Sequence, residues 1–196
     1  QWTITAGPFC PPSSSVVTIK VDAPPVGGTA TPNPAEVCLG SGSVITLAGQ
    51  TGSVVQWESS TDGVTWTIIN NTTASLTTPA LTQTTQYRAR LTNGGVCPDA
   101  FSPPVPVTVD EPPTVAVAGP NDEICNSPVY TLQGNTPTSG TGKWTQDVSN
   151  PAGATFANIT NPNTTVSGLA PGIYRFIWTI TASPTCPPTS STVKIT

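Results

Sequence analysis

Residues 86–92 read QYRARLT, and their alternation decides the fold: Tyr87, Ala89 and Leu91 fall on one side of an extended chain, Arg88 and Arg90 on the other. Successive side chains of a strand point to opposite faces, so a period of two buries the first set and turns the arginines to solvent. The same reading works outward from this stretch. In SVITLAG (43–49) Ile45 and Leu47 share a face, and in VVQWESS (54–60) Val55 and Trp57 do. Thr61-Asp62-Gly63 then carries an Asp-Gly hairpin signal into VTWTII (64–69). Asn93-Gly94-Gly95 makes the next turn, and Val105, Val107 and Val109 form a closing strand. Further on, YTLQG, GKWTQDVS, ATFANIT, NTTVSGL, IYRFIWTIT and STVKIT repeat the plan. This predicts an all-β chain with about seven short strands per roughly 90 residues, the spacing of a β-sandwich.

Composition supports that reading and removes most chemistry. With 23 Pro and 17 Gly, helix interiors are disfavoured throughout. Charged residues make up only 8%, while 35 Thr and 17 Ser supply polar surface. There is no His, which excludes an imidazole base, a His metal ligand and a Ser/His/Asp triad. No nucleophile sits beside a base, and no glycine-rich phosphate loop or catalytic carboxylate pair is present. The sequence therefore predicts no enzyme and no cofactor. Six basic against ten acidic residues and a pI near 4.4 argue against nucleic acid and membrane as partners. No stretch approaches the roughly 20 apolar residues of a membrane span, and Gln1 opens directly into a strand pattern, as in a mature fragment.

An internal repeat organises the chain. QWTITAGPFCPPSSSVVTIK (1–20) aligns without a gap on IWTITASPTCPPTSSTVKIT (177–196), with 13 identities in 20 positions and an offset of 176. The chain thus divides into the tail of one unit (1–20), a unit of a different kind (21–110) and a full copy of the first kind (111–196). Ala23-Pro24-Pro25 and Glu111-Pro112-Pro113 mark the joints. Each follows a strand ending in Val-Asp and reads as a short, stiff linker.

The middle unit, with AEVCLGSGSVITLAG, VVQWESSTDGVTWTII and TQYRARLTNGGVCPDAFSPPVPVTV, resembles the Ig-like repeats of very long Bacteroidota cell-surface proteins. The last unit, with AGPNDEIC, LQGNTP, GTGKWTQ, GLAPGIYRFIWTIT and CPPTSSTVKI, is similar to the PKD-like repeats that accompany them. The resemblance covers almost the whole chain. It implies tandem immunoglobulin-like and PKD-like β-sandwiches in an extended rod: residues 1–20 the closing strands of a preceding PKD-like domain, 21–110 an Ig-like sandwich, 111–196 a PKD-like one. It also implies an extracellular, bacterial cell-surface location, export by a type 9 secretion route, and the role of adhesin stalk or fibre. Neighbouring repeats of the same protein would then be the partners. Two other readings stand beside it, a carbohydrate-binding module for surface polysaccharide and a self-assembling sheath or S-layer subunit.

Trp57, Trp144 and Trp178 have the parity of core residues, which leaves Trp66 as the candidate exposed aromatic for stacking a sugar. Asp110-Glu111 and Asn121-Asp122-Glu123 lie near a joint but lack the spaced oxygen ligands of a calcium loop, so no metal site is predicted. Asn70, Asn71, Asn158 and Asn163 satisfy N-x-S/T, a pattern that Thr-rich composition produces by itself.

Five cysteines remain, Cys10, Cys38, Cys97, Cys125 and Cys186, far apart and without a CxxC pair. Arithmetic offers one bond per unit, Cys38 with Cys97 and Cys125 with Cys186. Topology favours another pattern. In a seven-strand immunoglobulin-like order the turn after the first strand and the late hairpin lie at opposite ends, about 20 Å apart, beyond the roughly 4.4–6.8 Å that a disulfide spans between Cα atoms. In a head-to-tail rod the early turn of one unit faces the late hairpin of the next. Cys38 would then meet Cys186 across the joint, with Cys10, Cys97 and Cys125 serving neighbouring domains.

Overall fold

The computed structural model describes residues 1–5 and 7–196. Its described residues form strands, turns and loops without a helix, an all-β architecture. At the N-terminus β1 (Trp2–Ile4) pairs antiparallel with β2 (Ser13–Ser15).

The first core is built by β3 (Thr29–Asn33), β4 (Glu36–Cys38), β5 (Val44–Ala48), β6 (Ser53–Ser60), β7 (Thr67–Ile69), β8 (Ser75–Thr77), β9 (Thr85–Thr92), β10 (Ala100–Phe101) and β11 (Val105–Asp110). One sheet runs β3-β5-β8 and the other β4-β11-β9-β6-β7, with β10 also on β9. Ile45, Leu47 and Leu76 of the small sheet meet Val54, Trp57, Tyr87, Ala89, Leu91 and Val107 of the large one. Trp57 is fully buried, and its indole N–H donates to the Thr73 carbonyl at 2.9 Å, so burial leaves no donor unpaired.

Three local expectations change. Nine strands replace seven here, because the short β10 adds to β9 and the first strand divides: β3 pairs with β5, and after Pro34, which has no N–H for a ladder, β4 crosses to run parallel with β11. In β6 a bulge between Val54 and Gln56 shifts the register, so Val54 joins Trp57 in the core and Val55 turns outward. The Asp-Gly signal does not make a two-residue hairpin. β6 and β7 are joined by residues 61–66, a loop that the Asp62 carboxylate holds by accepting from the N–H groups of Val64 (2.8 Å) and Thr65 (2.7 Å) and from the Ser60 hydroxyl (2.9 Å). Those backbone hydrogen bonds keep the Asp62 carboxyl well below the usual range.

The second core comes from β12 (Val129–Thr131), β13 (Thr141–Gln146), β14 (Thr155–Phe156), β15 (Thr165–Ser167), β16 (Tyr174–Thr181) and β17 (Thr189–Ile195), six strands among the described residues. Sheets β12-β15-β14 and β13-β16-β17 enclose Leu132, Trp144, Val166, Tyr174, Phe176, Trp178, Ile180, Val193 and Ile195. The rings of Trp144 and Trp178 meet at 5.0 Å. They fit because residue 142 is glycine: a Cβ there would lie 2.0 Å from the Trp178 ring.

The terminal repeat keeps its register. Trp2 stands opposite Ser15 as Trp178 stands opposite Ser191. Burial is what differs, since Trp178 is 0% exposed and Trp2 73%.

Candidate functional site

The two cores meet where β11 ends. Its last residue, Asp110, lies opposite Cys38 in the parallel β4–β11 ladder, and the Asp110 carbonyl accepts from the Leu39 N–H at 2.9 Å. Pro112 and Pro113 follow, with Pro113 buried, and the chain passes into the second core. From the far side comes the loop between β16 and β17. Its Ser183 and Thr185 hydroxyls donate to Asp110 Oδ2 at 2.5 and 2.6 Å, and Cys186 Sγ lies 3.7 Å from the Asp110 carbonyl oxygen. Hydrogen bonds from Ser183 and then Thr185 hold the Asp110 carboxyl below its ordinary range.

A covalent bond closes the same place. Cys38 and Cys186 are joined, with Cα atoms 4.9 Å apart and 148 positions between them in sequence. Cys186 is buried, whereas Cys10 and Cys125 are exposed free thiols and Cys97 a half-buried one. The Cys97 thiol donates to the Asp22 carbonyl at 3.4 Å, and Asn93 Nδ2 reaches the Ala23 carbonyl at 2.5 Å. Chemically the joint is a bracket: one bond, one hydrogen-bonded carboxylate and a proline pair fix three separate stretches of chain to each other.

The other residues singled out by sequence lie apart from this bracket. Trp57, Trp144 and Trp178 are core residues. Trp66 is half-buried, and one face of its ring is covered by the Arg88 guanidinium at 3.9 Å. Arg88 also lies 4.4 Å from the Phe101 ring and pairs with Glu58 at 2.7 Å, so this outward-facing arginine is packed rather than solvated. Arg90 likewise pairs with Asp99 at 2.7 Å. Asp122 accepts from the Tyr130 hydroxyl at 3.0 Å, away from Asp110. Among the described residues no group of three or more Cys, Asp or Glu side chains is placed to hold a metal ion, and no helix is long and apolar enough to cross a membrane. Asn71 and Asn158 use their side-chain oxygens to cap the Thr73 and Thr160 N–H groups at 2.8 and 2.9 Å. Ser183 and Thr185 escaped the sequence reading: in a chain with 52 hydroxyl residues nothing sets these two apart until the loop is placed beside Asp110.

A family model described as a domain of unknown function (DUF8696) matches residues 26–111, the first core. No curated protein matches the chain. Among solved structures, murine CEACAM1b is similar at 12% identity over 86% of this chain and 98% of that one, with a TM-score of 0.46. The fibronectin(III)-like modules of Clostridium thermocellum CbhA are similar at 13% identity over 87% and 89%, with a TM-score of 0.38.

Proposed function

We propose that the chain is a structural segment of a long extracellular surface fibre or adhesin stalk, which projects a distal adhesive element or builds a filament. Its task is mechanical and it catalyses no reaction. The observation that carries this reading is the Cys38–Cys186 bond across the joint, backed by the hydroxyls on Asp110. A bond there lies inside neither core; it restrains one unit against the next, which a stalk needs and an isolated domain does not. Disulfides persist in oxidising surroundings, in keeping with a location outside the cell. Sparse charge also suits a stalk, since repeating units then repel little along its length, and Thr favours strands while keeping the surface wet.

On this reading the remaining cysteines serve neighbouring repeats, and the resemblance to Bacteroidota adhesins makes the type 9 route the proposed means of export. Polysaccharide binding ranks second, because the one candidate platform, Trp66, already has a face occupied by Arg88. A sheath or S-layer subunit ranks third.

Small-angle scattering with a glycan array tests the proposal. A stalk segment gives an extended particle, at oligomeric state independent of concentration, that binds no glycan. Units folded back on each other, or a glycan ligand lost on Trp66→Ala, would overturn it.

A further inference from the structure

One arrangement occurs complete at one joint and half-complete at another. At the complete joint, Cys38 lies opposite the closing Asp110 in a parallel ladder, and the cysteine of the next unit's late hairpin, Cys186, lies 3.7 Å from the Asp110 carbonyl oxygen. At the earlier joint the closing residue is Asp22. Its carbonyl holds the Cys97 thiol at 3.4 Å, and Cys97 occupies in the first core the late-hairpin place that Cys186 has in the second. What Cys97 lacks is the cysteine that should lie opposite Asp22.

The second core supplies that residue at its own far end. Asp122 bridges Ile195 in parallel, and the Ile124 N–H donates to the Thr196 carbonyl at 2.9 Å. Continued three residues, this register sets Cys125 opposite the position two beyond Thr196. The repeat offset of 176 makes that position the counterpart of Asp22. Parity agrees as well. Val37 and Ile124, each just before one of the two cysteines, both pack on their cores, while Cys38 is half-buried and Cys125 exposed. Cys125 is exposed and lines a groove of about 410 Å³ together with Ile124, Leu169, Pro171 and Tyr174, the place at this end where a hairpin would enter.

We infer that Cys125 pairs with the Cys97 position of a unit like residues 21–110 following the second core, so that the Asn93–Cys97 hairpin of such a unit docks beside Cys125. This rests on the stalk reading and names its second kind of joint. The bond forms by thiol–disulfide exchange with a small disulfide oxidant such as glutathione disulfide. The Cys125 thiolate attacks one of its sulfurs and releases a thiolate, and the Cys97 thiolate then attacks the Cys125 sulfur and releases the second. Two thiols are oxidised and one oxidant disulfide is reduced to two thiols.

The test extends the whole chain by a second copy of residues 21–110 joined directly to Thr196, as Val21 follows Lys20. The original Cys97 is replaced (Cys97→Ser) so that only the appended copy contributes that peptide. After equilibration in a glutathione redox buffer and digestion without reduction, mass spectrometry should find Cys125 linked to the appended Cys97. In a Cys125→Ser version the appended Cys97 should become fully alkylatable. Cys125 left alkylatable, or linked to any other cysteine, overturns the pairing. The Cys38–Cys186 peptide in the same digest separates that failure from a failure of the stalk reading, which its absence would mark.

Discussion

Asp110 and Ser183, 73 residues apart in sequence, share a hydrogen bond of 2.5 Å at the boundary between the two cores. With Thr185 on the same carboxylate oxygen and Cys186 bonded to Cys38, every element crossing this boundary converges on the end of β11. Among the described residues, the disulfide and the side-chain hydrogen bonds between the two cores lie together at this place.

The carboxylate gives the joint a pH dependence. Because its hydroxyl partners lower the pKa of Asp110, its contribution is present above the ordinary carboxylate pKa of about 4 and is lost as pH falls through the lower, folded-state value. With the disulfide reduced, scattering should therefore show the joint loosening only in acid. Asp110→Asn should remove that step. An Asp110→Asn protein with an unchanged acid transition would count against the carboxylate.

Cys38→Ser should leave both cores folded while lowering the stability of the linked pair. Chain entropy sets the scale for a bond spanning 148 positions at up to about 5 kcal/mol. Denaturant titration reads the loss. A wild-type digest in which Cys38 is linked to Cys97, with no loss on substitution, would refute the assignment.

Gly142→Ala tests the packing of the second core. Its φ needs no glycine, but the added methyl would meet the Trp178 ring, so the cost is overpacking, about 1–3 kcal/mol. Thermal unfolding should show the second transition lowered and the first unchanged.

Removing residues 1–20 should cost less than about 0.5 kcal/mol, as for surface changes in general. The inward parity positions of this hairpin, Trp2, Ile4, Val17 and Ile19, are all exposed, whereas their counterparts Trp178, Ile180, Val193 and Ile195 are buried. Far-UV circular dichroism that keeps its β signature after truncation supports this; unfolding of the first core would contradict it.

Alternation made the sheets legible, because a half-buried strand writes its inner face into every second residue: Tyr87, Ala89, Leu91 and Tyr174, Phe176, Trp178, Ile180 lie in the cores as spaced. Local irregularity was not legible. The bulge that swaps Val54 for Val55 depends on pairing with β9, and the six-residue loop at Asp62 depends on hydroxyl and amide partners that the Asp-Gly dipeptide does not specify. The packing of Arg88 between Trp66 and Phe101 was hidden for the same reason, since β9, β10 and the loop before β7 must all be placed before those side chains meet. At the joint, cysteine arithmetic alone pointed within each unit, and it was the expected strand order that placed Cys38 against Cys186 across the boundary. The hydroxyl donors to Asp110 could not be told from the rest of a Ser- and Thr-rich chain.

Single-molecule stretching between Gln1 and Thr196 tests the mechanical role most directly. With the Cys38–Cys186 bond closed, tension passes from the first unit to the second through sulfur, and the 148-position span between them cannot extend. Reduction should release it, adding on the order of 500 Å of contour length at about 3.4 Å per residue. Equal unfolding lengths in oxidised and reduced protein would contradict the account.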